Sequence, residues 1–238
     1  MIGVSKVTKH FDEVQALAEV NLDIATGEFI SIVGPSGCGK STLLRIIADL
    51  VSTDGTVKKP NKGAFVFQDS ALLPWRTVQG NVELLMELEG TENKRSKAAV
   101  ALKQVGLNGF ERSYPHQLSG GMKMRLSLAR SLVLDPEYIL LDEPLSAVDE
   151  LTREVLQEEL YDMWKRDKFT AILVTHNIAE AVYLSNRVVI MSPRPGKITD
   201  IVDISKKLGF KKRTPELRTT PQFSEVVNEI AGKLRTWK

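Results

Sequence analysis

Short apolar runs separated by polar, turn-rich segments mark both ends of the chain. Near the amino terminus they predict strands over residues 3–11, 18–24 and 29–33, with a turn at 25–27. From residue 135 onwards, strand-like runs alternate with the three- and four-residue spacing of helices. The elements predicted there are strands over 138–141, 170–174 and 187–191, helices over 151–166 and 177–184, and a hairpin-like pair continuing to 203. Such alternation predicts a parallel sheet covered by helices.

The middle of the chain has a different spacing of apolar residues. A short apolar strand is predicted over 64–67, but between Val78 and Val133 the apolar residues follow helical spacing and strand signals are few. We therefore expect one α/β domain that divides into three parts. These are a core of about 1–70 and 135–205, a helical subdomain of about 71–134, and a tail of about 206–238 with a helix near 222–235.

A glycine-rich segment joins the third predicted strand to a helix expected to end near Leu50, and it matches the phosphate-loop pattern G-x-x-x-x-G-K-[ST]. Glycines let successive backbone N–H groups curl into an anion-binding nest, and the following helix directs its positive end to the same place. Lys40 adds a charge for the β- and γ-phosphates, and Ser41 offers a hydroxyl to Mg²⁺. A chance glycine-rich turn is the alternative, but the flanking strand and helix favour nucleotide binding. The loop residues are Gly34, Pro35, Ser36, Gly37, Cys38, Gly39, Lys40, Ser41 and Thr42.

Two carboxylates follow the strand predicted over 138–141. In open α/β sheets ligands bind beyond the carboxyl ends of strands, so Asp142 and Glu143 are expected to lie beside the phosphate loop. Asp142 is the expected Mg²⁺ partner of Ser41, through a water. Glu143 would accept the proton of the water that attacks the γ-phosphate. An ordinary solvated turn is the alternative.

A second anion-binding helix start is predicted within the helical segment. Ser119 is a good N-cap residue, and Gly120 and Gly121 expose the first backbone N–H groups of the helix. Because one nest already serves the nucleotide, this one makes sense if it closes over the γ-phosphate bound to another copy of the protein. An ordinary capped helix is the alternative.

Net charge, cysteine content and the length of the apolar runs argue against several classes of protein. A net charge of +2 in 238 residues gives no support to a nucleic-acid-binding protein. Cys38 is the one cysteine, which rules out an internal disulfide and fits a reducing compartment. No apolar run approaches the roughly 18–20 residues that a bilayer span needs, and the amino terminus lacks the features of a signal peptide. We expect a soluble, cytosolic chain that reaches a membrane only through a partner.

Together these motifs resemble the nucleotide-binding subunits of ATP-binding-cassette (ABC) transporters over about residues 3–203. The resemblance implies an α/β fold class in which a RecA-like P-loop NTPase core carries an N-terminal antiparallel β subdomain and an inserted α-helical subdomain. It also implies ATP and Mg²⁺ as cofactors and ATP hydrolysis as the activity. Its elements are the loop 34–42, Gln68 after a strand, Leu-Ser-Gly-Gly at 118–121, Leu-Leu-Asp-Glu-Pro at 140–144, Ser-Ala-Val-Asp at 146–149, and Thr175-His176.

The resemblance also implies roles for single residues. Phe11 would stack on adenine, with a strand-end core position as the alternative. Gln68 would sense Mg²⁺ and the attacking water, and His176 would contact the γ-phosphate. Ser119, Gly120 and Gly121 would hold the partner's nucleotide, and Asp149 would lie at the dimer seam. The catalytic set is thus Lys40, Gln68, Glu143 and His176, and the metal set is Ser41, Gln68 and Asp142.

Four features resemble the nitrate, sulfonate, taurine and bicarbonate importer branch: the segments 72–78, 149–153 and 191–198, and Met122. That branch implies uptake of a small anion or a vitamin precursor. The apolar set 72–75 would dock a cytoplasmic helix of a permease, or it belongs to the core.

The implied partners are transmembrane permease subunits, a second nucleotide-binding subunit (identical or a close paralogue) and, indirectly, an extracytoplasmic solute-binding protein. No nucleic acid is expected. The chain would lie at the cytoplasmic face of the cell membrane, peripheral through the permease. Two alternatives remain at this point: a soluble ABC-type ATPase of DNA repair or translation, and an ATP-binding regulator that never hydrolyses.

Overall fold

The computed structural model describes residues 1–209 and 213–236, and within these ranges nine strands form two sheets. The strands are β1 (Ile2–Phe11), β2 (Val14–Ile24), β3 (Phe29–Val33), β4 (Thr56–Lys58), β5 (Gly63–Val66), β6 (Tyr138–Asp142), β7 (Thr170–Val174), β8 (Arg187–Met191) and β9 (Ile198–Asp203). The helices are α1 (Lys40–Ile47), α2 (Val78–Leu88), α3 (Lys94–Gln104), α4 (Gly120–Leu132), α5 (Glu150–Asp167), α6 (Ile178–Leu184), α7 (Ile204–Leu208) and α8 (Pro221–Arg235).

The larger sheet positions the candidate site. Its strand order is β5-β6-β7-β3-β8-β9, with every neighbouring pair parallel except the antiparallel pair β8 and β9. Because β6, β7 and β3 are parallel neighbours, their carboxyl ends meet at one edge of the sheet. The phosphate loop follows β3, Glu143 follows β6 and His176 follows β7, so all three lie at this edge. The smaller antiparallel sheet has the order β2-β1-β4.

Side chains alternate between the two faces of the larger sheet, and each face has its own apolar core. Phe29 and Val33 of β3 belong to the core that includes α2 to α6 and α8. Ile30 and Ile32 belong to the other core, which α1, β1 and β2 complete. Burial on both faces explains why β3, β6 and β7 are almost uninterrupted apolar runs.

Three of the differences between the predicted and the observed elements lie in the first 60 residues. The second strand begins at Val14 rather than at 18; Val14 and Gln15 are exposed or half-exposed, whereas Ala16 and Leu17 are buried. Strand β4 lies in a segment expected to be turns, and its three residues are largely exposed. Helix α1 ends at Ile47, not near Leu50, since Asp49 adopts a left-handed conformation (φ 59°) that a helix cannot continue through.

Across residues 1–209 and 213–236, no helix is both long enough and apolar enough to cross a membrane.

Candidate nucleotide site

The phosphate loop adopts a conformation that only glycine accommodates easily. Gly37 and Gly39 have φ angles of +74° and +100°. A Cβ on Gly39 would also lie 2.6 Å from Leu17 Cδ2, and one on Gly34 would lie 2.8 Å from the carbonyl oxygen of Met191. The loop is therefore packed tightly against β2 and β8 on its outer side. Its inner side is left for a ligand.

Lys40 is a buried cation that has no anionic partner in the described part of the chain. Its side chain belongs to a residue that is 6% exposed, and its Nζ donates to the carbonyl oxygens of Gly34 and Pro35, each at 2.9 Å. Among the described residues no carboxylate lies within ion-pair distance of Lys40. A buried charge requires a counter-charge, and a phosphate group in the loop would supply it.

A cavity of about 570 Å³ opens beside the loop. Phe11 forms part of its wall and is 47% exposed, so the alternative of a strand-end core position is wrong. The ammonium group of Lys9 lies over the ring, 5.2 Å from its centroid, and an aromatic ring in a cavity wall can stack on a planar base. Adenine stacking on Phe11 stays a prediction. Other residues lining the cavity include Val14, Ser36, Lys40, Glu143 and Arg194.

Ser41 and Asp142 meet at the carboxyl edge of the sheet. The Ser41 hydroxyl donates to Asp142 Oδ1 at 2.7 Å, and Asp142 is 3% exposed. Gln68 lies with them along a groove of about 780 Å³. Hydroxyl, carboxylate and amide oxygens with a single negative charge suit Mg²⁺, which keeps several waters and binds substrate phosphates. These residues therefore fit a magnesium ion, and their roles as ligands stay predictions.

Glu143 and His176 form a hydrogen-bonded pair. Glu143 Oε2 lies 2.9 Å from His176 Nδ1, and the Glu143 backbone N–H donates to the carbonyl of Val174 at 2.9 Å. Glu143 has a left-handed backbone (φ 45°), which costs a non-glycine residue about 1 kcal/mol. This strained turn brings the carboxylate into the cavity that Lys40 lines. A base oriented by a second group is the arrangement that activation of water needs.

The second predicted anion-binding helix start lies apart from this cavity. Ser119 is the N-cap of α4 and accepts from the Met122 N–H at 3.3 Å, while Ser119 and Gly120 are exposed. A Cβ on Gly121 would lie 2.8 Å from Thr152 Cγ2, so the glycine allows α4 to approach α5 closely. Neither Ser119 nor Gly121 lines the cavity beside the loop.

Asp149 stands at the beginning of α5. It is exposed, and its carboxylate accepts from the Thr152 N–H at 3.0 Å as the N-cap of the helix. That hydrogen bond lowers the pKa of Asp149. Its position at a dimer seam stays a prediction.

Known proteins are similar to this chain over almost its whole length. A protein-family model described as ABC transporter matches residues 17–146, more than half of the chain. The chain belongs to the ABC transporter family. This cassette is 45% identical to an uncharacterised ABC transporter ATP-binding protein of Methanocaldococcus jannaschii, across 98% of the chain and 91% of the relative. It is 41% identical to an aliphatic sulfonates import ATP-binding protein of Bacillus cereus, across 96% of the chain and 94% of the relative.

Solved structures agree. The dimeric structure of a bacterial ABC transporter cassette matches with a TM-score of 0.76 and 34% identity, over 86% of this cassette and 99% of the other. A dimeric post-hydrolysis state of an ATP-binding cassette, bound to ADP and phosphate, matches with a TM-score of 0.75 over the same shares of each chain. The predicted fold class, family and class of enzyme, an ATPase, are therefore confirmed.

Sequence reasoning missed three residues of the cassette that bear on the site. Arg194 donates through Nε and Nη2 to the Gly37 carbonyl, both at 3.2 Å. Glu180 is a buried carboxylate next to the Glu143–His176 pair. Asn81 is fully buried and bonds to both backbone groups of Leu73. A lone polar residue inside a helix or loop carries no motif, so no sequence signal identifies these positions.

Proposed function

We propose that this chain is the ATP-hydrolysing subunit of an importer for a small solute of the sulfonate class. The chemistry rests on one observation: Glu143, which is hydrogen-bonded to His176, lines the same cavity as the phosphate loop and Lys40. The importer branch is supported by the aliphatic sulfonates import relative and by the length over which the two chains match. These relatives give no support to a soluble ATPase of DNA repair or translation.

The residues of the site have separate roles in hydrolysis. The N–H groups of the loop and the Lys40 ammonium bind the β- and γ-phosphates. Glu143 takes the proton of the attacking water, and His176 holds that carboxylate in place through Nδ1. Ser41 and Asp142, with Gln68 nearby, would hold Mg²⁺, which would supply positive charge to offset that of the phosphates.

A second subunit completes the site. Ser119, the N-cap of α4, and Gly120 are exposed; Gly120 lines the groove of Ser41, Gln68 and Asp142, but neither residue lines the cavity that contains Lys40. A head-to-tail pair places this helix start on the γ-phosphate held by the other copy. The dimeric cassette structure among the relatives supports this assembly. The pair is formed by two copies of this chain or by this chain and a paralogue.

The permease would dock on the loop before α2. Within the set 72–75, Trp75 is 71% exposed and is available for docking, whereas Leu72 packs against the apolar core. Asn81 fixes the loop because its Nδ2 donates to the carbonyls of Leu73, Arg76 and Thr77. A large aromatic ring on a rigid, exposed loop is a suitable anchor for a partner helix.

This docking places the chain at the cytoplasmic face of the membrane, with a solute-binding protein acting on the far side. The subdomain limits proposed from the sequence, a core of about 1–70 and 135–205 and a helical part of about 71–134, place the docking loop where the two parts join.

Replacing the proposed base tests this function. Glu143→Gln keeps the size of the side chain but cannot accept a proton, so we expect hydrolysis to fall by about 10²–10⁴-fold. Binding of ATP should remain, since the loop and Lys40 are unchanged. Glu225→Gln, an exposed position on α8, is the matched control and should keep full activity. Phosphate release is measured together with nucleotide affinity. Undiminished hydrolysis by Glu143→Gln would refute the assignment.

A further inference from the structure

Helix α6 carries a buried acid for which none of the motifs accounts. Glu180 is 3% exposed, and its Oε1 has no hydrogen-bond partner within the described part of the chain. An incompletely satisfied buried carboxylate costs stability, so its presence calls for a reason. The surroundings of Glu180 suggest one.

Glu180 is tied to both residues that flank His176. The Thr175 hydroxyl donates to Glu180 Oε2, and the same Thr175 oxygen accepts from the Asn177 N–H at 3.0 Å. Asn177 Oδ1 in turn accepts from the Glu180 N–H at 3.0 Å. These contacts close a small hydrogen-bonded ring around the backbone of His176.

His176 itself has little other support. Its side chain is 64% exposed, and among residues 1–209 and 213–236 its side-chain hydrogen bond is the one between Nδ1 and Glu143 Oε2. Packing therefore does not hold the imidazole. Its direction depends on the turn 175–177, which begins where β7 ends.

Charged groups on three elements face Glu180. Arg153 of α5 and His176 favour its ionised form, while Glu143 opposes it. Burial dominates and raises the pKa of Glu180 to about 7. Near neutral pH a neutral amide is thus a close mimic of this side chain.

We propose that Glu180 is a positioning residue that fixes the turn 175–177 and so directs His176 onto Glu143. This inference rests on the proposed function, because it assigns Glu180 to the hydrolytic pair. The alternative is a purely structural acid that caps a short helix and stabilises the fold without affecting the imidazole.

Steady-state kinetics on the full chain separates the two. Glu180→Ala removes the acceptor for Thr175, and we expect kcat to fall by about tenfold or more while KM for ATP stays within about twofold, because misplacing a reacting group by about 1 Å costs up to 10²-fold. Glu180→Gln retains an acceptor oxygen and should restore most of kcat. Thr175→Val, of similar volume, removes the same hydrogen bond and should resemble Glu180→Ala, even where the alanine variant folds poorly.

Ser185→Ala is the matched control. Ser185 is 1% exposed, caps the other end of α6 and shares a hydrogen bond with Ser31. The substitution therefore removes a buried hydrogen bond at the end of α6 that is remote from His176. It should lose stability but keep kcat. A full kcat in folded Thr175→Val, or an equal loss of kcat in Ser185→Ala, would overturn the proposal.

A spectroscopic readout does not depend on hydrolysis. In histidine-labelled protein the imidazole signals of His176, identified by their absence in His176→Gln, should shift or broaden in Thr175→Val. Those of His10 and His116 should not change. Unchanged His176 signals would contradict the positioning role even if the chain hydrolyses no ATP, whereas an inactive wild-type chain with shifted signals would contradict the proposed function alone.

Discussion

Gly196 lies 158 residues after Cys38 in the chain but in direct contact with the phosphate loop. A Cβ at this position would stand 2.0 Å from the carbonyl oxygen of Cys38 and 2.9 Å from Met191 Cε. The φ angle of Gly196 lies outside the left-handed range, so alanine would act through its methyl group and not through backbone strain. We therefore expect Gly196→Ala to disturb nucleotide binding.

The size of the effect follows from the geometry. Ordinary contact begins at 3.4 Å, so the Cys38 carbonyl and the methyl group must separate by about 1.4 Å. The backbone of residue 196 is held in place, because its N–H donates to the Ala16 carbonyl at 2.9 Å and its carbonyl accepts from the Ala18 N–H at 3.1 Å. The loop must move instead. Such overpacking costs about 1–3 kcal/mol of stability, and a displaced nest of N–H groups should weaken ATP binding by tenfold or more.

Nucleotide titration and thermal unfolding of the purified chain measure both effects. Gly232→Ala on α8 is the matched control, since nothing lies within 4 Å of its added Cβ and alanine suits a helix better than glycine. It should bind ATP normally and unfold no earlier than the wild type. Wild-type ATP affinity in Gly196→Ala would show that the contact with Cys38 does not position the loop.

Three further outcomes are expected. Arg194→Ala should raise KM for ATP about fivefold with kcat unchanged, because about 1 kcal/mol of hydrogen bonding to the Gly37 carbonyl is lost. Lys197→Ala, on the same loop, is the control. Equal KM values in the two variants would contradict the effect. Because the pKa of Glu180 is raised from 4.5 to about 7, the unfolded chain releases this proton first, so stability declines as pH rises between those values, by at most about 1.4 kcal/mol per unit. Denaturant unfolding from pH 4.5 to 7 should show a shallower decline in Glu180→Gln, and parallel declines would refute the assignment of that proton. Trp75→Ala should leave hydrolysis by the isolated chain intact but abolish its stimulation by a permease, and stimulation that survives the substitution would place the docking surface elsewhere.

The parts of the site that sequence predicts are those carried by local patterns. The loop 34–42 needs only its own glycines, its lysine and its flanking elements. Asp142 follows an apolar strand, and open α/β sheets place such residues at the ligand-binding edge. The exposure of Phe11 required the structure, since an aromatic residue at the end of a strand fits a core as well as a rim.

Contacts between distant segments could not be predicted from local patterns. The hydrogen bond between Glu143 and His176 depends on β6 and β7 being neighbours, which no single run of residues specifies. Arg194 and Gly196 meet the phosphate loop only because β8 lies beside β3. Strand β4 pairs with β1 although two of its three residues are exposed, so pairing rather than apolar patterning creates it.

We propose that two cassettes close over ATP, each using its α4 helix start on the other's nucleotide. Sedimentation of Glu143→Gln with Mg²⁺ and ATP tests it most directly, because that variant should hold the closed pair without hydrolysing it. We expect twice the mass of the 26.5 kDa chain with ATP and the monomer mass with ADP. Adding Ser119→Arg, which places a bulky side chain at that helix start, should restore the monomer. A chain that binds ATP yet stays monomeric at every concentration, alone and with its permease, would contradict the account.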